Sequence, residues 1–393
     1  MSVVYAVLWG TLACGAYTYA GYPLLLKLLV WPRRKRPVPR PPARWPLVTV
    51  TIPVYNEEAM IRGKLEAVLA SDYPPERRQI LVVSDASTDR TDAIVKEFRH
   101  RGVELIRLPQ RRGKTAAENA AVPHSQGEII VNSDASIRES PAALRALILR
   151  FGDPTVGVAS GRDVSVTNVE GEANRGESGY VGYEMWIRRL ETDVAGIVGA
   201  SGCFYAIRAQ LHLHPLPEAL SRDFAAPLTA RQHGYRAVSV PEAVAYVPRI
   251  ASLRREYHRK VRTMTRGMET FFYKRQLANP LRYGLFAWEL LSHKLCRWLL
   301  PLAGVLALVA LTALATVAPW ARWALAAAGL VGTLAVVGLI WPEDRRPPPP
   351  RVFSLAAYLV AGNVAVLHAW INALRGAQHP IWEPTRRPTR SQT

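Results

Sequence analysis

The chain has 393 residues and carries 50 Lys and Arg against 31 Asp and Glu, a net charge of +19. That length holds one enzyme-sized domain plus extra segments, and its three cysteines, Cys14, Cys203 and Cys296, lack the number and spacing of a disulfide framework or a zinc cluster. The arginine clusters stand beside long apolar runs, which argues against nucleic-acid binding and for a membrane with positive charge on its inner side and anionic lipid at hand.

The first run, 2–26, contains no Lys, Arg, Asp or Glu, and neither do 299–317, 323–341 and 352–374, the last of which carries His368. Each is about long enough to cross a ~30 Å hydrocarbon core as a helix. Trp31, Trp298, Trp320 and Trp341 stand at segment ends, where aromatic side chains anchor to the interface. In the first segment the basic cluster Arg33, Arg34, Lys35 and Arg36 follows the apolar run instead of preceding it. The expectation is therefore an uncleaved anchor over 1–30, with the following domain on the cytoplasmic side of the plasma (inner) membrane.

A Pro/Arg-rich linker covers 31–46, and a domain over 47–250 follows. The β-branched stretch 47–53 predicts a strand. Asn56 then reads as the N-cap of a helix over 59–70. A strand from 80 runs to Asp85, a helix follows to Arg99, a third strand takes 103–108, the basic loop Gln110–Lys114 leads into a helix over 115–121, and a strand from 129 runs to Asp134. Strands alternating with helices predict an α/β fold with a mostly parallel sheet covered on both faces. Two apolar strands thus end in carboxylates, Asp85 and Asp134, at the edge where open α/β sheets bind ligands. Either aspartate alone also reads as a turn former or helix cap. Both together, with Gly113-Lys114 between them, point to a nucleotide and a divalent metal.

The second half predicts a strand over 156–160 and a helix over 171–189 with Tyr180, Tyr183, Glu184 and Trp186 at helical spacing. A Ser201-Gly202 turn then feeds a strand, Arg222-Asp223 opens a helix, and a strand covers 238–246. The tyrosines and Trp186 read either as stacking surfaces for sugars or as one packed face of an amphipathic helix. Residues 251–298 predict basic amphipathic helices at the lipid surface, one over 254–272 and another over 283–298. Three C-terminal transmembrane segments over 299–374 and a basic tail over 375–393 complete the chain.

The order Pro53-Val54-Tyr55-Asn56-Glu57-Glu58, Asp85-Ala86-Ser87-Thr88-Asp89, Gly113-Lys114, Asp134-Ala135-Ser136, Ser201-Gly202 and Arg222-Asp223 resembles the membrane-bound inverting family-two glycosyltransferases, such as hyaluronan, poly-N-acetylglucosamine, chitooligosaccharide and cellulose synthases. The resemblance spans roughly 47 to 272. It implies a glycosyltransferase A-type (Rossmann-like) domain that moves a sugar from a nucleotide diphosphate sugar, UDP-linked, to a growing exopolysaccharide or glycan. It also implies roles: Asp134 as ligand of Mg2+ or Mn2+, Asp85 at the base or ribose, Pro53, Tyr55 and Glu57 around the base, and Lys114 at the base or diphosphate. Asp223 would be the general base, and Arg262, with Arg259 nearby, would stabilise the leaving group. Tyr183 and Trp186 would meet acceptor sugars.

Three departures mark this sequence. Ser136 stands where the family has a second metal-side aspartate, Arg222 where it has an acid before the base, and Thr263 where processive synthases have the Trp of Gln-Xaa-Xaa-Arg-Trp. The missing Trp favours transfer of a single sugar to a lipid-linked acceptor. Ser136 and Arg222 favour a weakly catalytic sugar- or lipid-binding subunit of a secretion complex. Four crossings put both termini outside. Arg345, Arg346 and Arg351 then lie inside, as the positive-inside rule asks, whereas the tail with Arg375, Arg386, Arg387 and Arg390 breaks it. So few helices leave a polymer pore to be completed by a second copy or a secretion partner.

Overall fold

The computed structural model describes residues 1–31, 41–166, 173–213, 215–248, 253–342 and 349–376, with the side chains of 173–181 outside the description. The cluster 33–36, the side chain of Tyr180, Arg345, Arg346, Arg386, Arg387 and Arg390 therefore lie outside the described residues.

Helix α1 (Ser2–Val30) opens the chain. An eight-stranded sheet follows: β1 (Val48–Val54), β2 (Arg78–Ser84), β3 (Val103–Arg107), β4 (Ile129–Ser133), β5 (Arg138–Glu139), β6 (Val156–Val166), β7 (Phe204–Arg208) and β8 (Arg236–Pro248), in the order β3-β2-β1-β4-β7-β6-β8-β5. The first four strands are parallel, β7 runs antiparallel to β4 and β6, and β8 is again parallel to β6. The sheet is thus mixed, with four of its seven strand pairs parallel, in keeping with the mostly parallel sheet expected. The chain reaches β7 through a tight turn at Ser201-Gly202 that brings it back along β4. β1 and β4 are buried along their whole length, as central strands covered on both faces must be.

The helices between and beyond the strands are α2 (Ile61–Leu69), α3 (Thr91–Glu97), α4 (Lys114–Ala121), α5 (Ala143–Leu149), α6 (Ala173–Val194), α7 (Arg222–Gln232) and α8 (Leu253–Tyr273). The last three, α9 (Leu285–Leu314), α10 (Pro319–Ile340) and α11 (Arg351–Arg375), are with α1 the four helices among the described residues long and apolar enough to cross a membrane. α9 starts at Leu285, just after Gly284 at φ +54, and runs without a break into the apolar segment. The amphipathic helix expected over 283–298, leading into the membrane, is the first half of α9, which passes through a π-helical turn at Leu291–Leu295 before the apolar run. The basic helix expected over 254–272 is present as α8, and it lies along α11: Tyr257 Oη is 3.1 Å from His368 Nδ1, and Lys260 Nζ sits 3.7 Å over the Tyr358 ring.

Asn56 is not a helix cap. It lies at φ +51, four residues before the cap position of α2 at Met60, and its carbonyl oxygen accepts the Thr88 amide at 2.8 Å. The loop after β1 is thereby tied to the loop after β2, where Ala86 sits at φ +58. Among the described residues these are the two non-glycine residues at positive φ, a conformation that costs energy and tends to gather at functional sites.

Candidate active site

The site lies where β1, β2 and β4 end. Asp85 follows β2 and is 3% exposed; its two carboxylate oxygens accept the amides of Arg112 at 2.7 Å and Gly113 at 2.8 Å. Gly113 is at φ +97, which a side chain would resist, so the loop can turn its amides onto Asp85 and then enter α4. Tyr55, just past β1, carries the Arg111 guanidinium 3.8 Å over its ring, a cation–π stack. Pro53 is buried within β1. Glu57 is buried and its amide donates to Thr91 Oγ1 at 2.8 Å. The loops expected around a base are therefore held together by short polar contacts before any ligand arrives.

Lys114, first residue of α4, joins this half to the next. Its ammonium donates to Asp134 Oδ1 at 2.5 Å and to the Gly202 carbonyl at 2.7 Å, with Glu118 Oε1 at 3.9 Å. Burial alone would lower its pKa, but Asp134, then Glu118 and Asp223, outweigh burial and hold the ammonium above the ordinary lysine range. The Asp134 amide donates to the Cys203 carbonyl at 3.0 Å. A Cβ at Gly202 would stand 3.3 Å from Asp223 Oδ2. The Gly202-Cys203 turn thus lies between Asp134 and Asp223, and a side chain at Gly202 would push the Asp223 carboxylate by a few tenths of an ångström. Asp223 lies in the first turn of α7, where the helix dipole favours a carboxylate, and Ser221 Oγ donates to its Oδ1 at 2.5 Å.

Three site residues escaped the sequence reading. Glu118 is 2% exposed and pairs with Arg222 at 3.6 Å; burial pushes its pKa up against the opposing pull of Lys114 and Arg222. Arg222, at the position of the acid expected before Asp223, is thus paired with a buried acid on α4. Asp163 on β6 accepts from Ser201 Oγ at 2.6 Å. Burial raises its pKa against that hydrogen bond and Arg188, with Asp134 and Asp223 adding to the rise. Arg266 of α8 donates to Thr115 Oγ1 at 2.7 Å and to the Leu220 carbonyl at 2.5 Å, clamping α4 to the segment before Asp223. On the same helix Arg259 is instead fixed by Glu256 at 2.7 and 2.8 Å, while Arg262 is partly buried.

Tyr183 and Trp186 stand apart from these carboxylates. Tyr183 Oη donates to the Tyr19 carbonyl of α1 at 3.1 Å, its ring lies 6.4 Å from that of Tyr19, and Trp186 stacks 5.9 Å from Tyr183. Of the two alternatives, the packed helix face describes these contacts.

Among the described residues no three His, Cys, Asp or Glu gather as a metal cluster. Asp134 would offer a single carboxylate to a metal, with Ser136 buried two residues on. An oxygen-only set suits a hard divalent ion such as Mg2+ or Mn2+. The ammonium already bonded to Asp134 marks the position as one that favours positive charge.

Residues 49–211 match the family model described as glycosyl transferase family 2. The sheet that holds this matched segment has a GT-A-type α/β fold. Over 171 residues the chain is 28% identical to a beta-monoglucosyldiacylglycerol synthase of Synechocystis, covering 42% of this chain and 36% of that protein. Over 220 residues it is 26% identical to an N-acetylglucosaminyltransferase of Mesorhizobium japonicum, covering 51% of each. Among solved structures, a mannosyltransferase from Pyrobaculum calidifontis in complex with GDP-Man and Mn2+ superposes with a TM-score of 0.70 at 24% identity, covering 95% of this chain and 100% of that one. The chain spans between about a third and a half of the length of these two curated relatives.

Proposed function

We propose that the protein is an integral-membrane enzyme that transfers a sugar, with inversion, from a nucleotide diphosphate sugar to an acceptor presented at the membrane boundary, with Asp223 as the general base. The observation that carries this reading is the seating of Asp223. The next residue, Phe224, meets Trp298 of α9 edge to face, with ring centroids 6.2 Å apart at 88°, and Lys294 Nζ of the same helix lies 5.5 Å from the Phe224 ring. A base mounted on the first C-terminal span suits a hydroxyl that arrives from the lipid.

A positioned carboxylate that removes the acceptor proton contributes about 10²–10⁴-fold. Asp134 would hold Mg2+ or Mn2+ together with the donor's diphosphate, and the bound metal supplies neutralisation of the charge that grows on the leaving diphosphate. Lys114 and Arg266 add fixed positive charge near the same place, and Arg262 is assigned to the leaving group beside them. Tyr55 with Arg111 forms a stacking platform for the base, with Pro53 and Glu57 at its edges, while Asp85 orients the Arg112-Gly113 amides. The donor is read as UDP-linked and the catalytic face as cytoplasmic. A lipid or lipid-linked acceptor also agrees with Thr263 in place of the synthase Trp, and with a relative named for a monoglucosyldiacylglycerol.

A growing exopolysaccharide is the second reading. It is favoured by the way α8, α10 and α11 pack together, since a Cβ at Gly338 would stand 2.4 Å from the Phe353 carbonyl oxygen. The test is incubation of the full chain, reconstituted in vesicles, with radiolabelled UDP- and GDP-sugars, followed by phase partition and sizing. One added sugar in the organic phase is expected. A ladder of water-soluble products would establish the second reading, and no transfer from any donor would contradict both.

A further inference from the structure

A wide cavity lies nowhere near Asp134. It has a volume of about 890 Å³ and lies at the opposite end of the sheet, against Thr155 before β6, Arg236 at the start of β8, Asp193 near the end of α6, Arg231 near the end of α7, and Arg282 and Leu285 at the entrance to α9. Its charged lining is three arginines against one aspartate. Arg236 is already committed, donating to Asp153 Oδ2 at 2.8 Å and Thr155 Oγ1 at 3.0 Å. Arg231 and Arg282 are not. Among the described residues neither forms an ion pair; Arg231 lies 5.4 Å over the Phe286 ring and Arg282 5.4 Å over the Tyr283 ring. Two guanidiniums that face one cavity without a carboxylate partner favour an anion, and their forked donors match phosphate oxygens.

The position of the cavity selects the source of that phosphate. Leu281, on its rim, is 97% exposed, and Leu285 beside it begins α9. An exposed leucine just before the amphipathic half of α9, which carries Glu289, His293, Lys294 and Arg297 ahead of the apolar run from 299, suits the membrane interface, with the arginines at headgroup level. We propose that this cavity binds the phosphodiester headgroup of an anionic phospholipid through Arg231 and Arg282, with the acyl chains leaving past Leu281 along α9. The proposal rests on the reading of α9 as a membrane span. It also places a lipid at the far end of the helix that carries Asp223: Arg231 and Asp223 lie on α7, separated by about 12 Å of helix, so a bound headgroup would fix the end of α7 opposite its catalytic carboxylate.

The test uses the full chain and native mass spectrometry after addition of phosphatidylglycerol or phosphatidylcholine, with flotation on phosphatidylcholine vesicles as a separate check of membrane insertion. Wild type should retain one phosphatidylglycerol in preference to phosphatidylcholine. Arg231→Gln/Arg282→Gln should retain it about tenfold or more weakly, and the single exposed change Arg282→Gln should already weaken it. Arg99→Gln/Arg101→Gln, which removes the same charge at the far edge of the sheet, should behave as wild type. Equal retention by wild type and the double variant would overturn the proposal, and so would an equal loss in the Arg99/Arg101 control. Displacement of the lipid by glycerol phosphate at matched concentration would overturn the lipid assignment in favour of a soluble phosphate ester. Failure to float would overturn the span reading on which the site rests.

Discussion

The two halves of the site are held by different means. The donor half, around β1, β2 and α4, is built from loops within about sixty residues of one another in sequence, joined by amides and small side chains: Thr88 to Asn56, Arg112 and Gly113 to Asp85, Glu57 to Thr91. The acceptor half is joined to the helices of the lipid boundary by buried ions far apart in the chain. Glu184 of α6 accepts from Arg297 at 2.7 Å and sits 3.0 Å from His293, both on α9, and His293 also meets Glu191 at 2.5 Å, which takes the Tyr22 hydroxyl of α1 at 2.6 Å. Burial would raise the Glu184 pKa, but His293, then Lys294 and Arg297, hold it well below the usual carboxylate range. Short-range polar contacts let a loop adapt to a ligand. A buried ion network tolerates no partial removal, so it fixes the acceptor side rigidly to the membrane helices.

This contrast can be broken at several points. The largest effect is expected from Asp134→Ala, which should abolish transfer and remove metal-dependent nucleotide binding; calorimetry of UDP with and without Mn2+ that matches wild type would separate Asp134 from the donor. Next, Glu184→Gln leaves buried cations uncompensated and should destabilise the junction by about 3–5 kcal/mol, seen as a lowered unfolding midpoint in detergent, while Thr91→Ala, which removes the hydroxyl that accepts the Glu57 amide in the donor loops, should cost about 1 kcal/mol. Equal losses from the two would erase the distinction between the halves. The smallest effect concerns Asp153. Burial would push its carboxyl up, but hydrogen bonds from Thr155 and Arg236 outweigh it and lower the pKa to about 2. A folded value below the unfolded ~3.9 gives stability that is present above pH 4 and is lost as pH falls through about 2. Asp153→Asn should therefore lower the melting midpoint slightly at pH 7 and not at pH 2.

The donor half was readable in the sequence because its signals are local. An apolar run that stops at an aspartate is visible in a few residues, and β2 and β4 end where Asp85 and Asp134 predict. Asn56 misled because its partner is Thr88 on another loop, and that contact, not a helix end, sets its backbone. The acceptor half was less readable for the same reason in larger measure. Arg222 looked like a lost acid, yet its partner Glu118 lies over a hundred residues away. Asp163 gains its place from Ser201 across the sheet. Among the α8 arginines, helix periodicity alone did not separate Arg266, which reaches Thr115, from Arg259, which closes on Glu256. The Tyr183 face fitted sugars or packing equally, because its contact with Tyr19 lies on α1, far away in the chain, while Trp186 stays 39% exposed.

The central claim is the division of labour between Asp134 and Asp223, and one paired measurement tests it. Sugar transfer and nucleotide binding are followed on the same reconstituted Asp223→Asn sample. The account predicts transfer lowered by about 10²-fold or more with nucleotide affinity close to wild type. Transfer near the wild-type rate, or nucleotide binding lost together with transfer, would contradict it.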